Sequence, residues 1–260
     1  MSFMDFFWYK GRPSMFFAVE MGAIFSALIL AFVFRKEKAA IPKNADKTEV
    51  TNYIPTILLI GTIVLLVLAS FIPNKPGVTN GLICCFMLMI GLVCNYAKKK
   101  TKEAITVPLK EIDFETLGLL VGLFLMIGGI SHMGVIDAAA SLLAKFGGGN
   151  VFLLYTVIVW ASVLISAFID NIPYVATMIP VIAGLAARLG VDATPLYFGL
   201  LSGATLGGNI TPIGASANIT GIGILRKAGY EVKNGDFFKI GIPFTLVAII
   251  PAYIYIWILY

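Results

Sequence analysis

Charged residues are scarce in this sequence: they make up 13% of its 260 residues, against about 25% in an average soluble domain. Histidine occurs once and cysteine three times. Cys84, Cys85 and Cys94 fall in one apolar run without a CxxC pair, so we interpret them as small buried hydrophobic residues. Because no zinc motif, phosphate-binding loop or hydrolase triad is present, the sequence does not indicate an enzyme or a cofactor.

Hydrophobic residues, at 59% of the chain, dominate instead. They form runs of about 18 or more residues, the length needed to cross the hydrocarbon core of a bilayer. We therefore predict an all-α polytopic membrane protein whose main partner is the lipid bilayer. The predicted spans are residues 15–34, 54–72, 78–96, 114–130 and 238–259, with an amphipathic helix at 135–146 and two interrupted apolar stretches at 151–189 and 196–225. We also predict a division into residues 1–112, which hold scaffold spans, and residues 113–260, which hold both interrupted stretches.

Basic residues are concentrated in three loops, 35–52, 97–112 and 226–239, which carry 14 of the 19 lysines and arginines. The positive-inside rule places these loops in the cytoplasm and the chain in the cell membrane. The formal charge of +5 therefore belongs to short loops between spans. Since no RNA-binding motif or long basic run accompanies it, nucleic acid is not an expected partner.

The first interrupted stretch carries Asp170, Asn171 and Pro173 near its middle. An acid at the bilayer centre costs at least about 2.5–3.5 kcal/mol on insertion scales. Non-helical backbone at membrane depth persists only where protein or a water-filled cavity satisfies it. We therefore predict a re-entrant hairpin over about residues 159–190 that enters from outside, with its tip at Ser166 to Pro173. Counting charges alone leaves two full crossings open as the alternative.

The second interrupted stretch is too rich in glycine, asparagine and proline to form an ordinary lipid-facing helix. We predict that it unwinds in the middle of a broken helix over about residues 196–225. Two such interruptions close in sequence are typical of transporters that build a mid-membrane site from half-helix ends and free carbonyl groups. The residues of this segment that we expect to bind substrate or ion are Gly208, Asn209, Thr211, Pro212, Gly214, Ser216 and Asn218.

These motifs resemble those of the ion transporter superfamily. The sequence from Ser166 to Pro173, followed by Met178-Ile179-Pro180-Val181, is similar to the second-hairpin motif of that group. The run from Gly203 to Asn218 is similar to its unwound helix, and Ile112-Asp113-Phe114-Glu115-Thr116-Leu117 stands upstream. The order of the glycines and asparagines is closest to the branch with the P-protein and NhaD-type sodium/proton antiporters; citrate transporters and arsenite permeases belong to the same group.

The resemblance implies a fold of two inverted repeats, of which this sequence shows only the second. It therefore implies half of a split or truncated transporter, which needs an N-terminal half-transporter chain or a second copy of itself. We accordingly expect no transport from this chain alone. The first apolar run is long enough to span by itself, and no removable signal peptide is expected.

Asp170 is the residue on which ion coupling is expected to depend. The cost of an acid in hydrocarbon is relieved by protonation or by a bound cation, so a coupling ion, Na⁺ or H⁺, is the only cofactor we expect. Sodium is expected at Asp170, Asn171, Asn209 and Asn218, and Ser166 and Pro173 complete the candidate site. Two alternatives stay open: Asp170 as a structural helix cap, and the asparagines as caps of broken helices. His132 and Glu20 are interpreted as interfacial residues.

The function expected from these features is secondary active transport of a small inorganic ion or carboxylate, coupled to sodium or protons. Two other functions remain open. One is a component of an arsenite or antimonite efflux permease, which would cause a metalloid-specific growth defect on deletion. The other is a membrane subunit, or a relic of a broken gene, that does not transport. The sequence does not identify the substrate.

Overall fold

The computed structural model describes residues 3–36, 52–112 and 114–260. Asp113 of the upstream motif and most of the predicted cytoplasmic loop 35–52 lie outside these residues. The described part of the chain is almost entirely helical. A 3-10 turn at Phe3–Phe6 and a small hairpin of β1 (Trp8–Tyr9) and β2 (Arg12–Pro13) precede the helices. The helices are α1 (Met15–Val33), α2 (Ile54–Ser70), α3 (Thr79–Lys99), α4 (Glu103–Lys110), α5 (Phe114–His132), α6 (Val135–Gly147), α7 (Val151–Ser166), α8 (Asn171–Leu189), α9 (Thr194–Gly207), α10 (Ser216–Lys227) and α11 (Asn234–Leu259).

Four of the described helices, α1, α3, α8 and α11, are long and apolar enough to cross a membrane. The pair α5 and α6 forms a further candidate, broken by a bend of 75°. The shorter apolar helices α2 and α7 accompany them. This pattern confirms the prediction of an all-α polytopic membrane protein.

The chain forms two compact units. The first contains the described residues of 1–14 and 39–118, and the second those of 15–38 and 119–260. The first predicted span, α1, belongs to the second unit, because it packs along α11. Gly22 allows this close packing, since a Cβ atom there would lie 3.0 Å from the Ala248 carbonyl oxygen. Small residues at such contacts let helix backbones approach closely in membranes.

Helix boundaries follow local signals. Asn150 begins α7, because its side chain accepts a hydrogen bond of 3.1 Å from the Leu153 N–H. Gly148 ends α6 in the left-handed conformation that glycine adopts without steric cost. The amphipathic helix predicted at 135–146 is confirmed as α6.

Three features differ from the sequence-based expectation. A short helix, α4, lies within the predicted loop 97–112. Asn95 of α3 contacts it by donating a 2.7 Å hydrogen bond to the Ala104 carbonyl. The last span begins at Asn234, four residues earlier than predicted. The prediction that the cysteines are buried is wrong for Cys84 and Cys85, which are exposed on α3. An apolar helix that meets lipid exposes apolar side chains, so hydrophobicity does not imply burial within the protein.

Candidate functional site

Both predicted interruptions are present as breaks in helices. The first break occupies residues 167–170, between α7 and α8, inside the predicted tip. The second occupies residues 208–215, between α9 and α10. Whether the arms α7 and α8 enter and leave at the same membrane face stays a prediction. Here α7 packs mainly along α9, and α8 packs against α6 and α9.

Glycines on α9 bring the two breaks together. Gly199, Gly203 and Gly207 recur every four residues, and α7 lies directly against them. A Cβ atom on Gly203 would overlap the Val159 carbonyl oxygen, and one on Gly207 would overlap the Val163 carbonyl oxygen. The backbones therefore touch along this face, and the C-terminal ends of α7 and α9 lie side by side.

Two buried hydroxyl groups connect the breaks through backbone carbonyls. Ser166 Oγ donates to the Ala204 carbonyl, and Thr211 Oγ1 donates to the Ala167 carbonyl. Carbonyls near a helix end lack their usual partners, because the next turn is missing. At the end of α9, the Gly208 N–H bonds to the Leu206 carbonyl instead of continuing the regular ladder to Ala204. Each hydroxyl thus donates a hydrogen bond to a carbonyl oxygen that has lost its usual helical partner at the break.

Asp170 forms a third connection. Its Oδ1 accepts a hydrogen bond of 3.2 Å from the Ile172 N–H, which caps the N-terminus of α8. Its Oδ2 accepts a hydrogen bond of 3.0 Å from Ser216 Oγ, on the first residue of α10. The half-buried carboxylate therefore serves as a helix cap and at the same time joins the two broken helices. The capping role, which the sequence left open, is present.

Asn218 holds the unwound segment in shape. Its amide nitrogen donates to the Gly208 carbonyl at 2.9 Å and to the Thr211 carbonyl at 3.0 Å. Because the nitrogen is engaged, the amide oxygen is the atom that remains to contact a ligand. Gly214 fits here because it has no side chain: a Cβ atom would lie 2.7 Å from the Ala167 carbonyl oxygen.

The remaining asparagines line two different cavities. Asn171, together with Thr205, lines a mainly apolar cavity of ≈ 530 Å³ between α5, α8 and α9. Asn209 lines a smaller one of ≈ 240 Å³ against Phe237 and Gly241 of α11. The expected sodium set of Asp170, Asn171, Asn209 and Asn218 stays a prediction. The contacts group Asp170 with Ser216, and Asn218 with the backbone of the unwound segment.

The other candidate residues are less directly placed. Pro173 lies in the first turn of α8, where its missing N–H breaks no helical hydrogen bond. Pro212 lies half-buried in the unwound segment. Glu20 is exposed on α1, and His132 is exposed at the C-terminal end of α5.

Sequence reasoning missed two contributors to this region. One is the pair of backbone carbonyls of Ala167 and Ala204, which no side-chain motif reveals. The other is Tyr174, whose hydroxyl lies 3.0 Å from Ser162 Oγ and so connects α8 to α7. Ser162 and Ser166 are four residues apart and therefore lie on one face of α7. This spacing is the sequence feature that could have indicated polar contacts from α7 to its neighbours.

Four helix ends converge here with complementary polarity. The helices α8 and α10 begin at the breaks, and α7 and α9 end there. Helix N-termini carry partial positive charge and C-termini partial negative charge. The arrangement can therefore favour an anion beside the N-termini of α8 and α10, and a cation beside the released carbonyls of α7 and α9.

Replacing Thr211 tests the buried connection. We expect Thr211→Val to destabilise the protein by about 1–3 kcal/mol, because the Ala167 carbonyl loses its donor where water cannot replace it. Thr211→Ser should keep most of the stability. Thr177→Val is the matched control, since that hydroxyl bonds to the Pro173 carbonyl on the exposed side of its own helix. Thermal unfolding in detergent measures the difference, and equal effects at the two threonines would contradict the expectation.

Comparisons with known proteins identify the family of this chain. The model of the family described as "Citrate transporter" matches residues 2–203 and 103–260. The chain is 30% identical to the "46 kDa membrane protein" of Mycobacterium leprae and to an "Uncharacterized transporter" of Mycobacterium tuberculosis, over 100% of this chain and 60% of each relative. The P protein of Homo sapiens is 37% identical over 147 residues, which are 54% of this chain and 18% of that protein.

The chain thus spans about 60% of the length of the mycobacterial relatives it matches. No solved structure matches it significantly. Both family matches together cover the spans, the hairpin region and the unwound segment. The chain belongs to the citrate transporter family, which is consistent with the ion transporter superfamily.

Proposed function

We propose that this protein forms the ion-coupled site of a secondary active transporter. The observation that carries the proposal is the joining of two broken helices at a carboxylate, Asp170, which Ser216 contacts across the breaks. A broken membrane helix exposes carbonyl groups, and an acid beside the break adds a charge, so both raise the free energy of inserting the segment into a bilayer. Such segments persist where a functional site requires them.

The proposed coupling ion is sodium or a proton. A proton on Asp170, or a sodium ion beside it, neutralises the carboxylate in a setting of low polarity. The proton and the sodium ion compete for one carboxylate, which provides the physical basis for exchanging the two ions. A hard cation prefers oxygen ligands, so we propose that the Ser216 hydroxyl, which contacts Asp170, and the Asn218 amide oxygen complete its coordination.

The proposed substrate is a small inorganic ion or a carboxylate. The family description names citrate, so a carboxylate is the first substrate to test. The N-termini of α8 and α10, which meet at the breaks, suit an anionic group. We also propose that the basic loops face the cytoplasm and that the chain lies in the cell membrane, as the charge distribution predicts.

Flux into liposomes tests the function. Reconstituted together with a first-repeat chain, the protein should accumulate labelled substrate when a sodium or proton gradient is imposed, and collapse of that gradient should stop the uptake. This chain alone is expected to show no such uptake. The assay is run on this chain alone and with a co-expressed first-repeat chain, because the need for such a chain or for a second copy stays a prediction. Absence of gradient-driven flux in both arms would favour a non-transporting subunit.

Cysteine labelling tests the access route. A cysteine at Ile172, which is 54% exposed beside the first break, should react from outside with a membrane-impermeant thiol reagent. The cysteine is introduced into a variant in which Cys84, Cys85 and Cys94 have been replaced. A cysteine at Ala167, which is only 1% exposed, is the matched position and should react much more slowly. Protection of position 172 from outside reagent in all ionic conditions would contradict a hairpin open to the exterior.

A further inference from the structure

The first unit contains a groove that the transport site does not use. It lies between α2, α3 and α4 and has a volume of ≈ 370 Å³. Leu58, Leu88 and Leu92 line its apolar part, and Asn52, Asn95 and Lys98 lie at one end. Its volume falls in the range of about 300–1,000 Å³ that is usual for small-molecule sites.

The polar end of the groove is held in place by hydrogen bonds. Asn95 donates to the Ala104 carbonyl at 2.7 Å and so fixes α4 against α3. Asn52 accepts a hydrogen bond of 3.2 Å from the Ile54 N–H, which leaves its amide nitrogen as the group that can face a ligand. Lys98 adds an exposed ammonium group, and no carboxylate within the described ranges pairs with it. The available donors at this end therefore suit an anion.

The charge around this end is predominantly positive, because four lysines surround one carboxylate, Glu103, at the start of α4. Lys99, Lys100 and Lys102 follow Lys98 directly in the sequence, at the C-terminal end of a candidate membrane span. A lysine cluster at the end of a span lies at the level of lipid headgroups, and basic pockets between membrane helices bind anionic headgroups. The apolar part of the groove extends from this end along α2 and α3, in the direction of the hydrocarbon.

We propose that this groove binds one anionic phospholipid. The lipid phosphate contacts Lys98 and the amide of Asn52, and an acyl chain lies along Leu58, Leu88 and Leu92. A phospholipid matches both parts of the groove, since its phosphate contacts the cationic end and its acyl chain contacts the leucines. A free phosphate ion would contact the cationic end alone, so the groove favours the lipid. None of the residues that line the groove is among the candidate residues of the transport site, so the proposal does not depend on transport activity.

Lipid-dependent thermal stability of the purified full chain tests the proposal. Added phosphatidylglycerol should stabilise the protein more than phosphatidylcholine does. Lys98→Ala should weaken the apparent affinity for phosphatidylglycerol about 5-fold, the change expected for one lysine near an anionic surface. Lys98→Arg should restore most of it. Lys99→Ala is the matched control, since Lys99 lies in the same cluster but not among the residues that line the groove.

A second variant tests the apolar part. Gly91 lines the groove, and a Cβ atom there would lie 3.2 Å from Leu58 Cδ1. Gly91→Leu should fill the groove and reduce the preference for phosphatidylglycerol. Three results would overturn the proposal: equal effects of Lys98→Ala and Lys99→Ala, equal stabilisation by the two lipids, or equal stabilisation by inorganic phosphate and phosphatidylglycerol.

Discussion

Asp170→Asn is expected to abolish flux driven by a sodium or proton gradient in the transporter assembled with a first-repeat chain, while the protein still inserts and folds. Asparagine caps helices about as well as aspartate, so the N-terminus of α8 keeps its hydrogen bond from the Ile172 N–H. The amide also retains the size of the carboxyl group. What it loses is the negative charge and the proton that can replace a cation. The residual flux should become independent of external sodium and of pH.

The control for this variant is Asp192→Asn. Asp192 also caps a helix: its Oδ1 accepts hydrogen bonds from the Thr194 N–H at 3.0 Å and from Thr194 Oγ1 at 2.7 Å. It lies at the start of α9, away from both breaks. Flux measured in the same liposomes should therefore be near normal for this control. If Asp170→Asn retains the sodium and pH dependence of the unsubstituted protein, Asp170 is only a cap and the ion binds through neutral oxygens elsewhere.

The spans and the breaks could be predicted from the sequence because both depend on local composition. An apolar run of about 20 residues has few alternatives to a membrane helix. A segment such as Gly207-Gly208-Asn209-Ile210-Thr211-Pro212 cannot continue a helix in hydrocarbon, since glycine and proline both weaken it. The break at 208–215 falls on this segment. These inferences required no knowledge of which helices pack together.

The connections within the site could not be predicted, because they depend on packing between distant segments. Ser166 and Ala204 are 38 residues apart, and Asp170 and Ser216 are 46 apart. The sequence also does not reveal that Asn171 and Asn209 line separate cavities, while their place in one sodium site stays a prediction. The residue type identifies a candidate ligand, but the direction of its side chain depends on how each helix is rotated about its own axis when it packs.

The helix α4 was missed for a related reason. Its eight residues include Pro108 and are flanked by lysines, a composition typical of a loop. Tertiary contact stabilises it, since Ala104 is buried and its carbonyl accepts the hydrogen bond from Asn95. Short helices are marginal without such contacts, so sequence patterns alone do not distinguish them from loops.

Gly203→Ala is expected to be strongly damaging for a change that adds a single methyl group. The added Cβ atom would overlap the Val159 carbonyl oxygen and lie 2.9 Å from the Ser162 Cβ atom. Neither neighbour is the end of a flexible side chain, so α7 and α9 must separate. We expect a loss of about 1–3 kcal/mol of stability, as in other overpacked interiors. Gly221→Ala is the matched control, because that glycine lies in α10 with open space around its added Cβ atom.

The control should be neutral or slightly stabilising, since alanine favours a helix by up to about 1 kcal/mol over glycine. Thermal unfolding in detergent compares the two variants, and liposome flux compares their activity. Separation of α7 from α9 should also weaken the hydrogen bonds that Ser166 and Thr211 make across the breaks, so flux should fall by more than the lost stability explains. If both variants unfold at the same temperature and transport equally, close backbone contact at Gly203 does not hold the broken helices together.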